Sequence, residues 1–90
     1  MRVLVCEDET IIRLDLCQLL ESAGLQVVGE ARDGAEAVRV ARELEPDMVL
    51  MDVRMPELDG VEAARQILSE RQVPIVMVTA FAERDIVQSA

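Results

Sequence analysis

Four short apolar runs, at residues 2–6, 27–31, 48–51 and 75–79, alternate with stretches in which apolar residues recur at helical spacing. This alternation constrains the fold more than any other feature of the 90 residues. It reads β-α-β-α-β-α-β-α, which implies a parallel sheet with right-handed crossovers and helices on both faces. The run at 48–51 is apolar at every position, as a central strand buried on two faces requires.

The helical stretches carry their own signals. Ile12, Leu16, Leu19 and Ala23 are expected on one face of the first helix, with Ile11 and Leu20 beside them and Arg13, Asp15 and Glu21 elsewhere. Gly24 ends that helix. Asp33-Gly34 opens the second helix with Asp33 as N-cap; its apolar face is Ala37, Val38, Ala41 and Leu44, and Pro46 closes it. The third carries Val61, Ala64, Ile67 and Leu68, with Asp59-Gly60 as its turn and cap. A fourth is expected from near Glu83. The chain reads as one domain, 1–90.

Two of the strands run out into acids. Val3-Leu4-Val5-Cys6 is followed by Glu7-Asp8-Glu9, and Val49-Leu50-Met51 by Asp52. In open α/β sheets, ligands collect at the carboxyl ends of the strands, near the switch in strand order. Glu7, Asp8, Asp52 and Thr79 all fall at such ends, so one sheet edge gathers three acids and a hydroxyl. Like charges in one pocket repel by roughly 4 kcal/mol per close pair at a surface-like dielectric. A cation therefore belongs among them, and oxygen ligands suit a hard divalent ion such as Mg²⁺.

Composition removes competing chemistries. The net charge of −9 disfavours binding of nucleic-acid backbone or an anionic membrane by this segment. Histidine is absent, which excludes Ser-His-Asp triads and His metal sites. No Gly-rich turn follows the first strand, which excludes a dinucleotide site. Cys6 and Cys17 read as small buried hydrophobes in a reducing cytosol. No leader-like or membrane-length apolar run is present, so the expected location is cytoplasmic. With Phe81 as the single aromatic residue, the core must be aliphatic.

Cys6-Glu7-Asp8-Glu9, Met51-Asp52-Val53-Arg54-Met55-Pro56, Asp59-Gly60 and Val78-Thr79-Ala80 together resemble the receiver domain of two-component response regulators. The finer wording, including Val28-Gly29-Glu30-Ala31 and Thr79-Ala80-Phe81, is similar to receivers joined to an RNA-binding antitermination domain of the ANTAR type. The resemblance implies a flavodoxin-like parallel sheet of order 2-1-3-4, here without the fifth strand and fifth helix. It implies that Asp52 accepts a phosphoryl group from a sensor histidine kinase. Asp8 and Asp52 would bind Mg²⁺ directly, the backbone carbonyl of Arg54 would supply another oxygen, and Glu7, where many members have Asp, would act through water. Thr79 and the Ala80 N–H would contact the phosphoryl group. Such a domain is a phosphoacceptor and not an enzyme in its own right.

One departure from the family pattern matters. Receivers carry a lysine after a fifth strand, and lysine is absent from all 90 positions. An uncovered edge at the fourth strand invites pairing, so a homodimer or swapped assembly is expected. Two readings of function therefore stand: an Mg²⁺-dependent phosphoacceptor controlling an output outside these residues, or a phosphorylation-independent interaction module, including a non-functional, domain-swapped receiver. A phosphohydrolase with an aspartyl nucleophile is a third class, disfavoured because Arg54 stands where such enzymes usually carry a second acid.

Overall fold

The computed structural model describes residues 1–53 and 59–78. Among them the chain order is β1 (Arg2–Cys6), α1 (Thr10–Ser22), β2 (Gln26–Ala31), α2 (Gly34–Leu44), β3 (Met48–Asp52), α3 (Gly60–Glu70) and β4 (Ile75–Val78). The strands form one sheet of order β2-β1-β3-β4, and every neighbouring pair is parallel. The expected alternation and strand order both hold. The expected helix from near Glu83 lies outside the described residues.

Side chains of a strand point alternately to opposite faces, so each central strand feeds two cores. Leu4, Cys6, Val49 and Met51 pack under α2 and α3 with Ala37, Val38, Ala41, Ala63 and Ile67. Val3, Val5 and Leu50 pack on the other face, around Cys17 of α1 and its neighbours Leu16 and Leu20. Each fully buried side chain of this size contributes about 1.5–3 kcal/mol. Val3, Leu4, Val5, Val49 and Met51 are all fully buried, so these short strands hold much of the hydrophobic stabilisation.

The helix ends are fixed by local chemistry. Asp33 accepts a 2.8 Å hydrogen bond from the Glu36 N–H, and the Glu36 carboxylate accepts one of 2.8 Å from the Arg32 N–H. Asp59 caps α3 in the same way, through the Glu62 N–H at 2.9 Å. At the other end of α2, Glu45 adopts a left-handed conformation. Arg2 closes that end by donating to the carbonyls of Leu44 and Glu45, a cation where the helix dipole favours one.

The inward faces of α1 and α3 differ from the sequence expectation. Ile11 is 75% exposed and Leu19 67%, and Ala23 is exposed too. The row that meets the sheet is Arg13, Leu16, Cys17 and Leu20, turned toward the other side of Leu16. In α3 the inward row is Gly60, Ala63 and Ile67, while Val61 and Leu68 face outward. Both helices offer two apolar rows of equal period. Close approach to the sheet selects the row with the smaller residues, Cys17 in α1 and Gly60 and Ala63 in α3.

Candidate functional site: an acidic pocket at the carboxyl edge of the sheet

Register brings the acids together. The β1–β3 ladder pairs Cys6 with Met51, so the next residues on each strand, Glu7 and Asp52, stand side by side at the carboxyl edge. The Glu7 N–H continues the ladder to the Ala31 carbonyl of β2 at 2.9 Å, which holds Glu7 at strand level. The chain then turns into α1, and Asp8 lies on that turn. One carboxylate oxygen from each of Glu7, Asp8 and Asp52 falls within 4.8 Å of the other two. Glu7 is 5% exposed and Asp52 6%, whereas Asp8 reaches solvent.

Such crowding has an electrostatic consequence. The Glu7 carboxyl is pushed up from 4.5 to about 7. Burial is the main cause; the Glu9 N–H, donating to Glu7 at 3.0 Å, opposes it, and hydrogen bonding with Asp8 and the charge of Asp52 add to it. Desolvation is thus the larger part of the shift and repulsion the smaller. The donor set fits a hard divalent cation: three carboxylates, all oxygen, two buried and one open to water. A cation there would relieve both the desolvation and the repulsion.

Glu7, Asp8 and Asp52 thus converge as expected. Arg54, Thr79 and Ala80 lie outside the described residues. Two neighbours of the pocket were not singled out by the sequence reading, Arg13 and Glu30. The Arg13 side chain is only 11% exposed and donates to the Glu7 carbonyl at 2.9 Å and to the Glu30 carboxylate at 2.9 Å. A signal was available, because Arg13 precedes Leu16 by three residues and Cys17 by four, the spacing of one helix face. Arg39, Arg42 and Arg65 are exposed and paired with acids, as solvated helix faces require. Arg71 differs: it is half-buried and donates to the Pro46 carbonyl at 2.7 Å. No helix among the described residues is long and apolar enough to cross a membrane.

A four-stranded parallel sheet of order 2-1-3-4, flanked by helices and carrying acids at the ends of β1 and β3, defines a flavodoxin-like receiver fold. The chain belongs to the response regulator receiver domain family, whose model matches residues 3–90. It is similar to the transcriptional regulatory protein PdtaR of Mycobacterium tuberculosis, 53% identical over 89 residues, covering 99% of this chain and 43% of that protein. It also resembles a protein-glutamate methylesterase/protein-glutamine glutaminase of Myxococcus xanthus, 47% identical over 87 residues, covering 96% of this chain and 25% of that protein. The chain therefore spans less than half the length of these curated relatives. Among solved structures, the response regulator domain of Thermotoga maritima CheB superposes with a TM-score of 0.84 at 36% identity, covering 100% of this chain and 73% of that one. A chain of the CheX–CheY–BeF3–Mg²⁺ complex from Borrelia burgdorferi superposes with a TM-score of 0.87 at 26% identity, covering 98% and 68%.

Proposed function

We infer that this chain is a phosphoacceptor, with Asp52 as the group that takes the phosphoryl and a sensor histidine kinase as the donor. The observation that carries this reading is the meeting of the Glu7, Asp8 and Asp52 carboxylates within 4.8 Å, with Asp52 buried at the carboxyl edge. In the transfer, a carboxylate oxygen of Asp52 forms a bond to phosphorus. The bond from phosphorus to the imidazole nitrogen of the donor breaks, and the imidazole keeps the electron pair. The product is a mixed anhydride, labile enough to serve a reversible switch.

Asp8 and Asp52 would hold Mg²⁺ directly and Glu7 through water, with the Arg54 carbonyl as a further oxygen. When bound, the ion neutralises the repulsion between a carboxylate and an anionic phosphoryl group. The residues themselves do the rest. Burial of Asp52 limits water access, and the turn after β1 presents Asp8 from the open side. Thr79 and the Ala80 N–H are assigned to the phosphoryl oxygens by their place in the family motif. The output we assign is RNA-binding antitermination, carried by residues beyond this segment, in the cytoplasm. The wording shared with ANTAR-type receivers supports it.

The test is phosphorylation by acetyl phosphate with Mg²⁺, read by intact mass. The expected result is a gain of one phosphoryl group in the wild type and none in Asp52→Asn. Uptake that survives Asp52→Asn removes Asp52 from the role. A second reading is an interaction module of the same fold that takes no phosphate. A folded wild type that gains no mass supports it. Val76 and Met77 of β4 are exposed, which supports self-association through that strand; a sedimentation profile independent of concentration would argue against it.

A further inference from the structure

We propose that Arg13 is the positioning residue of the acidic pocket: it clamps the main chain of Glu7 to Glu30 on β2, and so sets where the Glu7 and Asp8 carboxylates stand relative to Asp52. This inference rests on the reading of that pocket as a metal and phosphoryl site.

The β1–α1 turn is held from two sides. On one, the Glu7 N–H bonds directly to Ala31 of β2 at 2.9 Å. On the other, the Glu7 carbonyl accepts Nη1 of Arg13 at 2.9 Å, while Nε of the same guanidinium donates to Glu30 Oε1 at 2.9 Å. Both polar groups of one peptide-bearing residue are therefore tied to β2, one directly and one through Arg13. The planar guanidinium serves both acceptors at once from a fixed fork. Its own backbone joins the same assembly, because the Arg13 N–H donates to the Glu9 carbonyl at 2.8 Å. Thus the three residues that follow β1 are pinned at Glu7 and at Glu9, with Asp8 between them.

Among the described residues, the side-chain hydrogen bonds of Arg13 go to the Glu7 carbonyl and to the Glu30 carboxylate. Arg13 lies behind the acids and acts through the backbone. Metal affinity depends on such outer partners, whose loss typically weakens binding by about 10–100-fold. A charge effect alone has the opposite sign: removing a cation near three acids tightens the binding of another cation. That difference in sign makes the proposal testable.

The experiment is a titration of the chain with MgCl₂, followed by backbone amide chemical shifts, at a temperature where circular dichroism shows each variant folded. Wild type, Arg13→Met and Arg13→Lys are compared. Arg13→Met keeps an apolar stem and removes all donors; the expected result is Mg²⁺ binding weaker by about tenfold or more. Arg13→Lys keeps the charge but serves one acceptor only, and should fall between the two. It also stands in if Arg13→Met does not fold. Binding in either folded variant that equals or exceeds the wild type overturns the proposal. A wild type with no Mg²⁺ response overturns the proposal together with the pocket assignment. If wild type binds, Arg13 variants weaken and Asp52→Asn still takes phosphate, the positioning role stands and the assignment of Asp52 falls.

Discussion

The Cα of Gly60, the first residue of α3, lies against the backbone of Asp52, the last residue of β3. A Cβ built on Gly60 would collide with the Asp52 carbonyl oxygen and lie 2.9 Å from both the carbonyl carbon and the Cα of Val53. The Gly60 N–H meanwhile donates to the Val53 carbonyl at 2.9 Å. The start of α3 is thus seated on the main chain that carries the proposed phosphoacceptor, and only a residue without a side chain fits there.

Gly60→Ala should therefore cost stability, because the atoms in the way are backbone and cannot rotate aside. Overpacking of this kind costs roughly 1–3 kcal/mol, read as a lower urea midpoint by far-UV circular dichroism. The same substitution should weaken Mg²⁺ binding, since relief of the clash must move either α3 or Asp52. An unchanged midpoint would show that α3 is not seated on Asp52.

Glu7 gives the pocket a pH dependence with a definite sign. Its folded value of about 7 lies above the ordinary 4.5, so between these values the folded protein holds a proton that the unfolded chain has released. The stability this contributes is full below about 4.5 and is lost as pH rises through about 7, in metal-free solution. Metal binding runs the other way, because a proton competes with the cation. The apparent Mg²⁺ affinity should rise between pH 6 and 8, and carboxyl NMR should place the Glu7 midpoint near 7. Asp52→Asn should lower that midpoint only in part, because burial is the larger cause.

The N-caps give a prediction about the fold alone. Asp33→Ala removes the acceptor for the Glu36 N–H, and Asp59→Ala removes that for the Glu62 N–H. Each should cost about 1 kcal/mol in chemical denaturation. Asp59→Ala should also disturb the pocket, because its helix begins at Gly60, whereas Asp33→Ala should leave Mg²⁺ binding unchanged.

The thiols should be silent while the chain is folded. Cys6 is 1% exposed, and burial, with a smaller effect from Glu36, pushes its thiol up to about 12. Cys17 is raised mainly by burial as well. At pH 8 the thiolate fraction of Cys6 is negligible, and a disulfide reagent should modify it only as fast as the protein unfolds. Rapid stoichiometric labelling of native protein would contradict the packing of β1.

Much of this was legible from residue order. The runs of apolar residues mark β1, β2 and β3 to within a residue at each end and the start of β4 at Ile75; in β1 and β3, burial on two faces keeps polar side chains out of 3–6 and 48–51. Asp33 and Asp59 announced their helices, since capping is a local interaction across three residues. The convergence of Glu7, Asp8 and Asp52 followed from topology, once both acid-bearing strands were read as parallel. The faces of α1 and α3 were not legible. Leu19 and Cys17 lie on opposite sides of Leu16, and periodicity alone does not choose which side turns inward. Arg13 was passed over because a cation on an apolar-rich helix reads as solvated until its partners Glu7 and Glu30, on other segments, are brought beside it.

By itself the sequence determined the order of elements, the acids at two strand ends and the caps, because each depends on residues close together in the chain. Only the tertiary structure decided which helix row meets the sheet, how closely α3 approaches Asp52 and which guanidinium holds the Glu7 main chain. Those outcomes turn on contacts between distant segments, where side-chain size and shape select one packing over another of equal periodicity.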